Sequence, residues 1–256
     1  MSTTRRTARY ARVVGSPGEW ARFTGIMRAI WPLFVVALAA GFLLREIVPV
    51  PSFGKTVAGF LFLLLAGALA WLAATRGRHL ALYVKGAQGE ERVARELALL
   101  PSTYAVFHGV QIERPGFFAR RGDYDHVVVG ASGVYLVETK NWSGRITIED
   151  GKVLCDGVEP DRQPIDQVKT AAAQLYRRIG RAMDRPPTVQ PILCFAASRL
   201  PEGRQGTGGV VVCDVDSLNA LILETGDGPI EPEAQTHILR LLGELCGAAD
   251  GAPGAG

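Results

Sequence analysis

Asp125, Glu138 and Lys140 are the residues of this 256-residue chain whose types and spacing could do phosphoryl chemistry. Two carboxylates can hold a divalent cation, magnesium or manganese, whose remaining positions take waters and phosphate oxygens. A lysine beside them can stabilise the charge that develops as water attacks a phosphodiester. The stretch Asp125 to Lys140, DHVVVGASGVYLVETK, shows how they could meet. Two runs rich in β-branched and aromatic residues flank Gly130-Ala131-Ser132-Gly133, which predicts a β-hairpin. With Ala131 and Ser132 central in the turn, Val129 opposes Val134, Val127 opposes Leu136 and Asp125 opposes Glu138. Opposed residues share a face, so Asp125, Glu138 and Lys140 emerge together, with acid Cβ atoms roughly 5 Å apart. Folding alone gives no reason to oppose two acids, and a cation bound by Asp125, Glu138 and the Thr139 carbonyl removes the repulsion. The competing reading is a surface hairpin whose Glu138 and Lys140 form an exposed ion pair worth about 0 to 1 kcal/mol.

Other elements must carry this hairpin. A helix is expected from Gly86-Ala87-Gln88-Gly89-Glu90-Glu91, with Val93, Ala94, Leu97 and Leu100 on its packed face. Glu90 shares that face, where it serves either the helix start or the metal site. A strand is expected over Thr103–Val110, and the loop Arg114–Gly122 holds Phe117-Phe118 and Arg120-Arg121, suited to a nucleic-acid backbone or merely solvated. Asn141-Trp142-Ser143-Gly144 is a turn whose tryptophan stacks on a base or is half-buried. Asp150-Gly151 predicts a second short hairpin. Pro164 opens a helix running through Val168, Ala171, Ala172, Leu175 and Ile179, with Gln167 at the border of its apolar stripe. Strands over Pro191–Ala197 and Val210–Val215 and helices over Asp216–Glu224 and Glu231–Cys246 complete an α/β mixed sheet flanked by helices.

At these residues the chain resembles a known family. Asp125 followed by Glu138-Thr139-Lys140 resembles the core of the PD-(D/E)xK nucleases. Gly86-x-x-Gly89-Glu90, Asp125-His126-Val127-Val128-Val129-Gly130, Gly133-Val134, Glu138 to Gly144 and Pro164-x-x-Gln167 resemble the NERD (nuclease-related) domain. The likeness covers Tyr83 to Ile179 well and continues loosely to Cys246. It implies a restriction-endonuclease-like fold and a metal-dependent nuclease site, with Glu90 and Gln167 joining Asp125, Glu138 and Lys140.

Composition adds an expected membrane anchor. The chain is 48% hydrophobic, with a mean hydropathy of +0.14. Residues 1–85 hold 11 Lys or Arg against 2 acids, a balance of +9, and residues 86–256 hold 17 against 23, a balance of −6. Ile30–Leu44 and Val57–Ala74 are free of charge, near the roughly 20 residues of a spanning helix. A cleaved signal peptide fits less well, because a second apolar run follows the first. Arginines before the first run and Arg76, Arg78 and Lys85 after the second outweigh the linker, so both ends are expected on the cytoplasmic side of the plasma (inner) membrane. The expected divisions are a basic tail (1–27), a transmembrane helical hairpin (28–78), the nuclease-like domain (79–247) and a flexible tail (248–256). Cys155, Cys194, Cys213 and Cys246 show no metal-binding or disulfide spacing, which suits a reducing compartment. His126 is expected to point away from Asp125 into the sheet packing. No phosphate-binding loop and no serine or cysteine nucleophile motif is present. The function so predicted is a membrane-anchored phosphodiesterase acting on nucleic acid, DNA before RNA. The alternative is a non-catalytic module at the bilayer that retains the fold to hold nucleic acid or protein.

Overall fold

The structure, a computed structural model, describes residues 10–17, 31–32, 34–39, 41, 52–112, 122–181, 183–225 and 230–246. The chain divides into two units, Glu19–Ala87 on one hand and Met1–Gly18 with Gln88–Gly256 on the other.

The larger unit is built on a seven-stranded mixed sheet. Its strands are β1 (Arg12–Val14), β2 (Ala105–Ile112), β3 (Gly122–Gly130), β4 (Gly133–Lys140), β7 (Val189–Phe195), β8 (Arg204–Thr207) and β9 (Val210–Asp214), in the order β1-β2-β3-β4-β7-β9-β8. β5 (Ile146–Glu149) and β6 (Lys152–Cys155) form a separate hairpin. Its turn residues Asp150 and Gly151 both have positive φ, 48° and 76°, as the tight turn read from this dipeptide requires. β1 and β2 are parallel, β2-β3-β4 is an antiparallel meander, and β4, β7 and β9 run parallel. Parallel steps need crossovers: those from β1 to β2 and from β4 to β7 contain helices, while β7 reaches β9 by way of β8.

Alternation along the strands gives the sheet two apolar faces, each covered. Val127, Val129, Val134 and Leu136 pack with Ile165, Val168, Ala172, Leu175 and Ile179 of α2 (Pro164–Gly180), and with Ile238 and Leu242 of α4 (Pro232–Leu245). Val106, Val128, Tyr135 and Val137 pack with Val93 and Leu97 at the end of α1 (Ser52–Leu97), and with Leu218, Leu221 and Ile222 of α3 (Leu218–Glu224). The mixed sheet flanked by helices is therefore as expected.

Three expectations are corrected. The basic stretch before residue 28 is not all tail, because Arg12–Val14 adds a strand in register with Ala105–Phe107. The helix holding Glu90 does not start near Gly86; it is the last part of α1, which runs unbroken from Ser52. β8, not expected from sequence, closes the far edge of the sheet against β9.

In the smaller unit, residues 31, 32, 34–39 and 41 are helical, as is α1 up to its end in the other unit. Trp31, Phe34, Leu38, Phe60, Leu63 and Trp71 are exposed, Trp71 to 69%. Among the described residues no helix is long and apolar enough to cross a membrane, so the two expected spanning helices are not seen there. Parts of the first apolar run and most of the linker after it lie outside the described residues. So do most of the Arg114–Gly122 loop, with its paired arginines and phenylalanines, and the tail 248–256.

Candidate active site

The hairpin has the predicted register. Val129 pairs with Val134, Val127 with Leu136 and His126 with Val137. The ladder stops there, one step short of Asp125 and Glu138. Instead of a β3 backbone carbonyl, the Asp125 carboxylate accepts the Thr139 N–H, Oδ2 lying 2.7 Å from the nitrogen. The hairpin thus opens at its free end, and a side chain of one strand is tied to the backbone of the other. In an antiparallel pair a residue's N–H and C=O face the same neighbour, so the Thr139 carbonyl is directed to the Asp125 side. The Thr139 hydroxyl is buried without a hydrogen-bond partner.

Lys140 lies beside Glu138 on the same face, its Nζ donating to Oε1 at 2.7 Å, with both side chains largely buried. The electrostatics of the group are unbalanced. Burial, then the charges of Glu138 and Glu90, push the Asp125 carboxyl well above its ordinary value, and the Thr139 N–H and Lys140 offset this only partly. Burial would lower the Lys140 ammonium, but Glu138, followed by Asp125 and Glu90, outweighs it and raises the pKa. Asp125, Glu138 and Glu90 thus all act on the Lys140 ammonium.

Glu90 joins because α1 presses against the residue after Lys140. A Cβ built on Gly89 would stand 2.6 Å from Cβ of Asn141, a distance real Cβ atoms do not tolerate. Glycine at 89 lets the helix approach, and this accounts for the Gly89-Glu90 pair in the sequence. The turn after Lys140 is held from another side. The Ser198 hydroxyl lies 2.6 and 2.7 Å from the carbonyl oxygens of Trp142 and Gly144, and the Trp142 ring packs on Phe195 with centroids 5.5 Å apart. Trp142 is therefore the half-buried packing residue of the two roles considered.

Asp125, Glu138 and Gln167 line one cleft of about 730 Å3. Its wall also holds Asp123, Arg162 and Asp166, which sequence reasoning did not single out. Asp166 and Gln167 come from the first turn of α2, where Pro164 occupies the N-terminal position expected of it. Gln163, the residue before the helix, accepts from the Val153 N–H at 3.0 Å and so ties α2 to the β5–β6 hairpin. Lys140 and Glu90 do not line this cleft, although both act electrostatically on Asp125. A second cavity of about 610 Å3, lined by Ser132, Tyr135, Arg185 and Glu224, contains none of these acids.

Among the described residues no group of three or more His, Cys, Asp or Glu is arranged to hold a metal ion. Burial first, and then the charges of Glu138 and Glu90, disfavour ionised Asp125, and a bound cation would relieve both. Two carboxylates with waters and phosphate oxygens meet the ordinary requirements of magnesium.

The segment that carries this acid and lysine hairpin is also the one that the family comparison finds. Residues 85–196 match the family described as Nuclease-related domain (NERD). A match of 41% identity over 66 residues to an uncharacterized protein of Bacillus anthracis covers 24% of this chain and 29% of that protein. The chain thus spans less than a third of that relative's length. No solved structure matches.

Proposed function

We propose that the chain is a membrane-anchored, metal-dependent phosphodiesterase with a restriction-endonuclease-like fold, acting on nucleic acid, DNA before RNA. The observation that carries this reading is the meeting of Asp125, Glu138 and Lys140 on one face, with the Asp125 carboxyl raised by burial and then by its acidic neighbours. Asp125 and Glu138, with the Thr139 carbonyl, would hold Mg2+ or Mn2+. When bound, such an ion supplies Lewis-acid stabilisation and a more acidic water. The Thr139 N–H fixes one oxygen of Asp125 and leaves the other to face the cleft. Lys140, released from Glu138, donates to a non-bridging phosphate oxygen and stabilises its developing charge. Gln167, on the cleft wall, donates its amide to the phosphodiester, and Glu90 keeps the ammonium protonated.

The strand pairing supports the anchor. Because β1 pairs with β2, residues 12 and 105 lie in one unit, so the chain between them would cross a bilayer an even number of times. The exposed tryptophans and phenylalanines of the smaller unit suit lipid, and the flanking arginines favour a topology with both ends in the cytoplasm.

Two observations favour the second reading, a non-catalytic module. The Lys140–Glu138 pair is already satisfied at 2.7 Å, and no group of three metal-binding side chains exists among the described residues. The test is cleavage of labelled DNA and RNA by the full chain in detergent, with Mg2+ or Mn2+. Cleavage lost in Lys140→Ala and Asp125→Asn is the expected result. Wild-type protein that cuts neither substrate with either metal would leave the module reading in place.

A further inference from the structure

Beyond the acid cluster, the parallel strands bring a second charged group to the same edge of the sheet. Lys140, Phe195 and Asp214 stand in register across β4, β7 and β9, so the segments leaving these strands emerge side by side. Ligands of open α/β sheets bind outside the carboxyl ends of their strands. The extension of β7 is fastened to that of β4: the Ala196 N–H donates to the Lys140 carbonyl at 2.9 Å, and Ser198 holds the turn carbonyls of Trp142 and Gly144. Arg199 follows directly. Its guanidinium lies 2.6 Å from Asp216 Oδ2, on the extension of β9, while Arg92 of α1, two residues beyond Glu90, lies 3.9 Å from Oδ1.

Two exposed guanidiniums therefore converge on one carboxylate, with the buried Asp214 carboxylate held close by through the Leu200 N–H. Stability does not account for this. The three side chains are 48% (Arg92), 79% (Arg199) and 46% (Asp216) exposed, and exposed ion pairs contribute about 0 to 1 kcal/mol. A planar fork of N–H donors suits phosphate better than it suits an exposed carboxylate shared with another arginine. Residues 86–256 carry a balance of −6, so affinity for a polyanion has to be local.

We propose that Arg92 and Arg199, gathered by Asp216 at the carboxyl ends of β4, β7 and β9, clamp a backbone phosphate of the nucleic acid, a contact separate from the acid and lysine cluster. This rests on the nucleic-acid reading above, though not on cleavage. Arg199 is three residues beyond Ala196, hence within about 11 Å of it.

The test measures binding of a fluorescent DNA or RNA oligonucleotide to the full chain, with Lys140→Ala as background, in Mg2+ and over a series of salt concentrations. Replacing both arginines (R92Q with R199Q) is expected to weaken binding about tenfold at low salt. It should also flatten the slope of log affinity against log salt by about 1.4 to 1.8, the value for two lost phosphate contacts. Arg177→Gln removes one charge from the last turn of α2, about 20 Å along the helix from its first, and should leave the slope in place. An unchanged slope in the double variant overturns the clamp, as does an equal loss in Arg177→Gln or wild-type protein that binds neither oligonucleotide. Cleavage with unchanged binding in the double variant sinks the clamp alone. Arginine-dependent binding without cleavage sinks catalysis alone.

Discussion

β3 carries two buried ionisable pairs, one on each side, and they solve the problem of burial in opposite ways. On one side His126 pairs with His108 of β2, the two Nδ1 atoms 2.7 Å apart and the rings edge to face. One nitrogen must donate and the other accept, so both rings stay neutral. Burial lowers His108 to about 4 and, with His108 beside it, takes His126 well below its usual value. One residue earlier and on the other side, Asp125 meets Glu138 and Glu90, and only the Thr139 N–H and the single Lys140 ammonium offset the repulsion. The histidines answer burial by staying neutral, with only His126 Nε2 left unpartnered between them, whereas the acids meet as like charges. A buried pair that settles its own charge is explained by packing, and one that does not is a place to look for chemistry.

The comparison can be broken or sharpened by substitution. The largest expected effect is on the acid side: Lys140→Ala should cut the rate of DNA cleavage on the order of 100- to 1,000-fold, the scale of losing one preorganised charge at a reacting phosphate. Circular dichroism should show the fold retained. On the histidine side the ranking reverses. His126→Ala leaves His108 without its partner and opens a cavity, so chemical denaturation should show a loss of about 2 to 4 kcal/mol, with cleavage per folded molecule changed only a few-fold. If cleavage falls as far as in Lys140→Ala, the contrast between the two sides fails. Gly89→Ala should cost about 1 to 3 kcal/mol by overpacking, because its methyl would overlap Asn141.

The smallest effect is the most diagnostic. With the Asp125 carboxyl raised, the folded chain holds a proton there more tightly than the unfolded chain does. That contribution is complete below the ordinary carboxylate range near 4 and is lost as the pH rises through the raised value. Asp125→Asn should therefore be more stable than wild type at pH 8 without metal, by about 1 kcal/mol or roughly 2 to 4 °C in melting temperature. The margin should narrow at pH 5, and Mg2+ should stabilise wild type more than the variant. A variant less stable than wild type at pH 8 would mean that the acids do not strain one another. The histidines run the other way: their contribution is present above about 6.5 and is lost as the pH falls from there through about 4.

Much of the acid side was legible because its information is local. Alternation around Gly130-Ala131-Ser132-Gly133 determines the register of β3 and β4, and with it the shared face of Asp125, Glu138 and Lys140. The Asp150-Gly151 turn and Pro164 at the start of α2 are local in the same sense. The histidine pair was hidden because it depends on the register of β2 against β3, across a connection of nine residues, too long for its Pro115-Gly116 to determine a register. The placement of His126 away from Asp125 was legible, but its partner was not. The continuity of α1 was missed because Gly86 and Gly89 imitate a helix boundary. Each glycine costs a helix about 1 kcal/mol, which the long flanks outweigh, and at 89 the missing side chain is what allows contact with Asn141. Asp123, Arg162 and Asp166 join the cleft through chain crossings that no short motif records.

The pairing of Arg12–Val14 with Ala105–Phe107 bears on how this protein is handled. A clone starting at residue 88 would discard a border strand together with the apolar helices. The Tyr104 carbonyl, which accepts from Arg12, and the backbone groups of Val106 would be left bare for other molecules to join, inviting precipitation that could be mistaken for an intrinsically unstable domain. Residues 10–17 grafted ahead of residue 88 through a flexible spacer should restore the missing border.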